Sequence, residues 1–324
     1  MRKIKYPKNW RHEYWNIFSD NNKNELQKNW QKLKHKYSEL SIFPKKVRKI
    51  ICADFPKITT WYFKFIEKSI SDELMKALKL LFCYSNYRDI IAKFFYSRIE
   101  QMNIFSCFYC DIHPIGKYEI ENNSNNKENL TYRTFDVDHF YENAQIPILA
   151  LSIKNFVPSC QVCNSRVKGK RDFLEFYGLN SKKMSQEEKK NIIYKIAPMS
   201  KNCDFDANVH IYVLPKKGFT KKIKFLDNID SYKIHISGDI DYINHVKAFR
   251  LNERYNSVTI LAEALSILDL KRKFPISKIQ EIKRLLSKGQ KLITAEQIEE
   301  VIFRKNYDIN RHSNLLKLKQ DLLE

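Results

Sequence analysis

The sequence predicts an α+β fold, mainly helical, with a cysteine-pinned module in its middle. Three observations carry this. Apolar residues recur at helical spacing in residues 1–103 and again from about residue 241. Two CxxC pairs bracket an irregular stretch. Short apolar–polar alternations fall near 208–240 and predict a small β element there. The expected organisation is an N-terminal helical region over 1–103, a central module over 104–180, and a C-terminal region over 181–324 that is α/β and then helical. At 324 residues, with 43% hydrophobic and 13% aromatic side chains, the chain can bury a sizeable core.

Each element has its own signal. In ELQKNWQKLKHKYSEL, Leu26, Trp30, Leu33, Tyr37 and Leu40 alternate four- and three-residue steps, which places them on one helix face. DELMKALKLLFCYSNYRDIIAKFFYSRIEQM reads as two further helical stretches. The polar tract ENNSNNKEN at 121–129 reads as a loop. Ser185 and Glu188 form a capping box and start a helix. Val209, Ile211 and Val213 alternate with His210 and Tyr212. Ile223 and Phe225, then Ile234 and Ile236, do the same with their own polar neighbours, giving short strands. Two more capping boxes, Ser277 to Gln280 and Thr294 to Gln297, mark helix starts near the end.

The formal net charge is +21, a field that concentrates polyanions such as nucleic acid. The plainer source is a composition rich in Lys, Asn and Ile. On that view runs such as Lys182-Lys183, Lys216-Lys217 and Lys221-Lys222 are solvated charge. There is no run of eighteen apolar residues to span a membrane. MRKIKYPKNWRHEYW lacks the apolar stretch of a signal peptide, so a cytoplasmic location is expected. No GxxxxGK[ST] motif is present, so any use of ATP is expected to come from another chain.

Cys107-Phe-Tyr-Cys110 and Cys160-Gln-Val-Cys163 are two knuckles, each offering two thiolates from a tight turn. Together they make a closed four-cysteine site of the structural zinc type; the plainer alternative is four reduced core cysteines. Between them lies RTFDVDHFYENA (133–144), where Asp136 and Asp138 stand two apart and His139 follows. An isolated Asp-His pair is usually a surface turn. Here KNFVPSCQVCNSRVKGKRDF follows, with Asn155, Asn164, Arg166, Lys168, Lys170 and Arg171. By contrast His113, His210, His235 and His245 have no comparable neighbours and read as core or surface residues. Cys203, Phe173 and Phe176 read as structural.

The order Asp136-Val-Asp138-His139, then Asn155, then CxxC-Asn164, then Lys168-Gly169-Lys170, resembles the His-Asn-His (HNH) endonuclease family across about residues 104–173. The resemblance implies a ββα-metal module. Its first strand would be TYRTFDVDHF, its second residues 155–159, and its helix NSRVKGKRDFLEFYG. It implies His139 as general base, Asp138 and Asn164 as ligands of Mg²⁺ or Mn²⁺, and Asn155 as the residue that fixes the base-bearing loop. Arg166, Lys168, Lys170 and Arg171 would contact phosphates. Asp136 has no assigned role. The expected activity is metal-dependent hydrolysis of phosphodiester bonds in DNA, with RNA left open as substrate. The NFVPSCQVCNSRVKG core also resembles HNH proteins of bacterial antiphage systems of the Septu type, which work beside an ATPase partner. The rival reading is a non-catalytic, zinc-stabilised nucleic-acid-binding or interaction module.

Overall fold

Ser19 accepts the Asn22 amide at 3.2 Å and starts a 17-residue helix, which buries Leu26 and Trp30. In a computed structural model that describes residues 3–120, 130–216, 229–286, 294–303 and 315–323, this helix is one of seven in the N-terminal region. They are α1 (Trp10–Trp15), α2 (Asp20–Lys36), α3 (Arg48–Ile51), α4 (Phe55–Ile66), α5 (Asp72–Leu81), α6 (Arg88–Tyr96) and α7 (Ile99–Met102). The periodic face expected to run to Leu40 stops sooner as helix. Tyr37 turns extended, and Leu40 reaches the core from a 3₁₀ turn. Lys34 holds that reversal by donating to the carbonyls of Leu40 and Phe43 at 2.7 and 2.6 Å, and the Trp30 indole donates to Pro44.

The middle of the chain holds two antiparallel strand pairs. β1 (Lys117–Ile120) pairs with β2 (Leu130–Arg133), and β3 (Asp136–His139) with β4 (Phe156–Ser159). The expected single strand TYRTFDVDHF is therefore two strands. The break falls at Thr134, whose amide bonds the Gly116 carbonyl and closes the first ribbon before the chain changes partner. The expected single helix after Asn164 is also divided. Val162–Lys168 is a π-helical segment, Gly169 closes it at φ +57°, and α8 (Phe173–Phe176) starts afresh under an Asp172 cap. Gly169 accepts the left-handed conformation without a Cβ penalty. Phe173 and Phe176 are buried, as read.

The C-terminal region runs through α9 (Gln186–Ile196), α10 (Phe205–Asn208), β5 (Val209–Pro215), β6 (Tyr232–Gly238), α11 (Ile240–Ala248), α12 (Leu251–Tyr255), α13 (Val258–Lys273), α14 (Ile276–Leu286), α15 (Ala295–Phe303) and α16 (Leu316–Leu323). β5 and β6 form the small β element, and the Ser185 and Thr294 capping boxes are in place. The Ser277 box is not. α14 begins at Ile276, straight after Pro275, so Ser277 lies inside the helix. The expected strand at Ile223 and Phe225, the loop at 121–129 and the lysines 217, 221 and 222 lie outside the described residues.

One contiguous cluster of buried side chains runs through all three segments of the chain. Tyr62 on α4 stacks on Tyr141 at 4.3 Å, Tyr141 meets Phe173 at 4.8 Å, and the Tyr141 hydroxyl donates to Thr59. Ser152 Oγ donates to the Ile50 carbonyl, and Tyr14 donates to Leu151. The β3–β4 connection is thereby pinned to α1, α3 and α4. Beside it Lys154 is buried, its ammonium 3.1 Å from the Tyr6 ring centre and 4.9 Å from that of Trp10. Burial pulls the Lys154 pKa down to about 7. Asp54 opposes this, while Arg11, Lys201 and Lys3 reinforce it. The ring faces return about 2 kcal/mol to the charged form. Because the folded pKa lies below the unfolded one, the unfolded chain binds more protons between them, so stability rises with pH from about 7 towards about 10. Lys154→Met should therefore raise the melting temperature most below pH 7, with the gain shrinking towards pH 9 in a thermal-unfolding series.

Candidate functional site

The two knuckles converge. The sulfurs of Cys107, Cys110, Cys160 and Cys163 lie within 4.8 Å of one another, all four residues are buried, and none forms a disulfide. A tetrahedral zinc site needs sulfurs about 3.8 Å apart, given Zn–S bonds of about 2.3 Å. Four buried soft donors in this arrangement fit a structural zinc ion, which would join the turn after α7 to the start of the π-helical segment. The Cys163 amide lies 3.4 Å from Cys160 Sγ, the local turn geometry of a knuckle. Arg254 of α12 donates to Cys163 Sγ at 3.2 Å. Nearby thiolates push its pKa up against the effect of burial. A Zn(Cys)₄ group carries two net negative charges, and this guanidinium offsets one of them.

His139 ends β3 with its ring between Tyr84 (4.7 Å, edge-on) and Phe156 (4.9 Å). Its Nε2 lies 2.9 Å from the Ala150 carbonyl oxygen. A carbonyl only accepts, so Nε2 carries the proton and Nδ1 keeps the lone pair of a base. Burial pulls the His139 pKa down to about 4, against the Ala150 bond and the Asp138 charge, so the ring is neutral near pH 7. A cleft of about 330 Å³ is lined by Tyr84 and Ala150, two of the three residues around the ring, together with Ser85 and Asn143, while His139 itself does not line it.

Asn155 is wholly buried. Its Oδ1 accepts the Tyr141 amide at 2.8 Å, and its Nδ2 donates to the carbonyls of Tyr141 and Leu149 at 3.0 and 3.2 Å. Its own carbonyl accepts the Phe140 amide. One side chain thus ties the residues just after His139 to the residue just before Ala150.

The acidic side is arranged differently from expectation. Asp138 is buried, and both its oxygens are engaged: Lys168 Nζ lies 3.0 and 2.9 Å from them, and Tyr109 donates at 2.6 Å. The same ammonium donates to the His139 carbonyl and to Glu142. Burial works against the Lys168 charge, but Asp138 and Glu142 outweigh it and hold the pKa above its usual value. The expected phosphate contact of Lys168 is therefore corrected: a side chain 1% exposed, with four acceptor atoms on three residues inside the protein, does not face a ligand. Arg166, Lys170 and Arg171 are exposed. Asp136, on the same strand face as Asp138, accepts from Asn164 Nδ2 at 3.0 Å, and both partners are half-buried. When ionised, Asp136, Asp138, Glu142 and Lys168 leave a net charge of −2. Asp136, Asp138 and Asn164 carry hard oxygens of the type that suits Mg²⁺ or Mn²⁺, but those of Asp138 are already taken up by Lys168 and Tyr109.

Sequence reasoning missed Tyr84, Tyr109, Ala150, Glu142 and Arg254. Only Glu142 had a local signal, an acid three residues after His139. Of the four histidines set aside, His245 is a core residue bonded to the Tyr109 carbonyl, His210 and His235 are exposed, and His113 is half-buried. No family model, curated protein or solved structure matches the chain. Arg254→Gln should weaken zinc retention about tenfold or more, as loss of a partner to a ligating atom does elsewhere. Chelator competition with a colorimetric zinc indicator reads this directly.

Proposed function

We propose that the chain is a metal-dependent endonuclease of the HNH type that hydrolyses phosphodiester bonds in DNA. The observation that carries the reading is the Asn155 clamp, which sets Ala150 to fix the His139 tautomer with Nδ1 as the free base. His245 makes the same Nε2-to-carbonyl bond in the core, so the weight falls on the company His139 keeps: Asp138 beside it on β3 and Asn155 holding the carbonyl next to its partner Ala150. In this reading His139 Nδ1 takes a proton from water as the water oxygen attacks phosphorus, and the bond from phosphorus to the 3′ oxygen breaks. The products carry a 5′-phosphate and a 3′-hydroxyl, as the family resemblance implies. Asp138 and Asn164 are the cation ligands that the resemblance implies, and Asp136, bonded to Asn164, supplies a further oxygen. The cation supplies charge stabilisation at the scissile phosphate and the leaving oxygen. Arg166, Lys170 and Arg171 present positive charge for phosphates beside it.

One contact favours the rival, a non-catalytic zinc-stabilised nucleic-acid-binding or interaction module. Lys168 already places a cation on Asp138. Against it stands the set Asp138, His139, Asn155 and Asn164, which a pure binder has no need of. Work in antiphage defence beside an ATPase partner is the biological setting that the NFVPSCQVCNSRVKG core suggests.

Purified His139→Ala protein should lose plasmid cleavage while keeping its zinc and staying folded, with a lowered melting temperature because a buried ring is removed. EDTA should stop wild-type cutting, and added Mg²⁺ or Mn²⁺ should restore it. Unimpaired cutting by His139→Ala would sink the assignment. The two acids should separate by stability. Asp138→Asn leaves Lys168 short of a buried partner and should cost about 3–5 kcal/mol. Asp136→Asn should change stability by less than about 1 kcal/mol yet weaken Mn²⁺ binding, read by titration calorimetry.

A further inference from the structure

A large cavity lies outside the His139 site, in the N-terminal region. It holds about 880 Å³ and is lined by Arg11, Lys46, Arg48, Lys49 and Lys57, with Cys52 and Trp61 also contributing. Its single carboxylate, Asp54, is ion-paired with Arg11. Arg48 lies against the Trp15 ring. Lys46, Lys49 and Lys57 are exposed and, among the described residues, have no carboxylate partner. A solvated lysine face is ordinarily convex and mixed with acids; this one is concave, and its only acid is already neutralised.

The wall is built rather than loose. Gln27 donates to the Lys45 carbonyl at 3.1 Å and accepts the Val47 amide at 2.9 Å, and Trp30 holds Pro44. The floor is closed by buried Cys52, whose thiol donates to the Arg11 carbonyl. Ser152, two residues from Ala150, is bonded to Ile50 of α3, the helix that also carries Arg48 and Lys49 of the cavity wall.

We propose that this groove holds the sugar–phosphate backbone of a polynucleotide, as an anchoring contact separate from the site of cutting. The chemistry selects that ligand over a free nucleotide. The cations sit on long side chains spread from residue 46 to residue 57. Backbone tracking uses such mobile point charges. A nucleotide pocket needs convergent backbone amides or a glycine-rich cradle, and no glycine lines this cavity. The inference rests on the polynucleotide substrate of the proposed function, but not on catalysis.

The test uses the full chain carrying His139→Ala, a labelled DNA duplex and fluorescence anisotropy without divalent cations. Lys46→Glu/Lys49→Glu is compared with Lys182→Glu/Lys183→Glu, which makes the same change in net charge on an exposed segment. The groove variant should raise Kd at least about tenfold and lower the slope of log Kd against log salt by about 2, since each phosphate contact contributes about 0.9. The control should do neither. Equal losses in both variants would show a bulk charge effect and overturn the proposal, as would unchanged binding by the groove variant. Displacement of the duplex by ATP at the same phosphate concentration as unlabelled duplex would identify a nucleotide pocket and also overturn it. Cleavage is scored separately with His139 intact. A chain that cuts nothing but shows the selective loss keeps the groove and sinks the nuclease; one that cuts without that loss sinks the groove alone.

Discussion

The convergence of Cys107, Cys110, Cys160 and Cys163 is the constraint on which the rest of the centre depends. It brings together two turns separated by residues 111–159, and everything chemical in the chain follows from what lies between and beside them. β3 pairs with β4 next to the cysteines, which puts the carboxylates of one strand face opposite the segment that starts at Cys163. Asn164 follows that cysteine directly, so the position of a sulfur sets the position of an amide. A metal cross-link suits this task because the intervening chain is irregular and builds little regular structure of its own.

Charge is handled on two scales. The outer surface is strongly basic, and long-range attraction of polyanions follows from that alone. Inside, the balance is local and tightly partnered. Lys168 is almost wholly buried with two carboxylates, a setting in which loss of either acid strands a charge in low dielectric. Arg254 does the corresponding job for the thiolates. His139 is a ring packed by aromatics, with burial favouring its neutral form. Its orientation comes from hydrogen bonding, whereas its protonation comes from burial.

Much of the framework was legible because it is encoded locally. Ser185 and Thr294 are short-range caps, and the helix starts read from them are in place, whereas the box read at Ser277 is displaced by Pro275. The cysteine pairs were legible because few other arrangements use that spacing. What escaped was non-local. A lysine in a KGK run reads as surface, and nothing in its neighbours reveals that Asp138 and Glu142 wait for it indoors. The strand break at Thr134 carries no glycine or proline, since it is caused by a change of pairing partner. The helix break did have its signal, Gly169, which serves the left-handed residue that ends the π-helical turn. Arg254 reaches Cys163 from 91 residues away, a distance over which pattern is silent.

Tyr109 shows what this wiring means for the chain as an object of evolution. Its hydroxyl holds Asp138, while its carbonyl accepts from His245 in α11. Tyr255 likewise bonds the Cys110 carbonyl, and the backbone of Lys317 bonds Asp111. The flanking regions are therefore parts of the centre rather than cargo attached to it. A module that can be lifted out and fused elsewhere carries its own supports; the cysteine-bounded segment borrows them from both ends of the polypeptide. Recombination that swapped the cysteine-bounded segment alone would separate a tyrosine from its histidine.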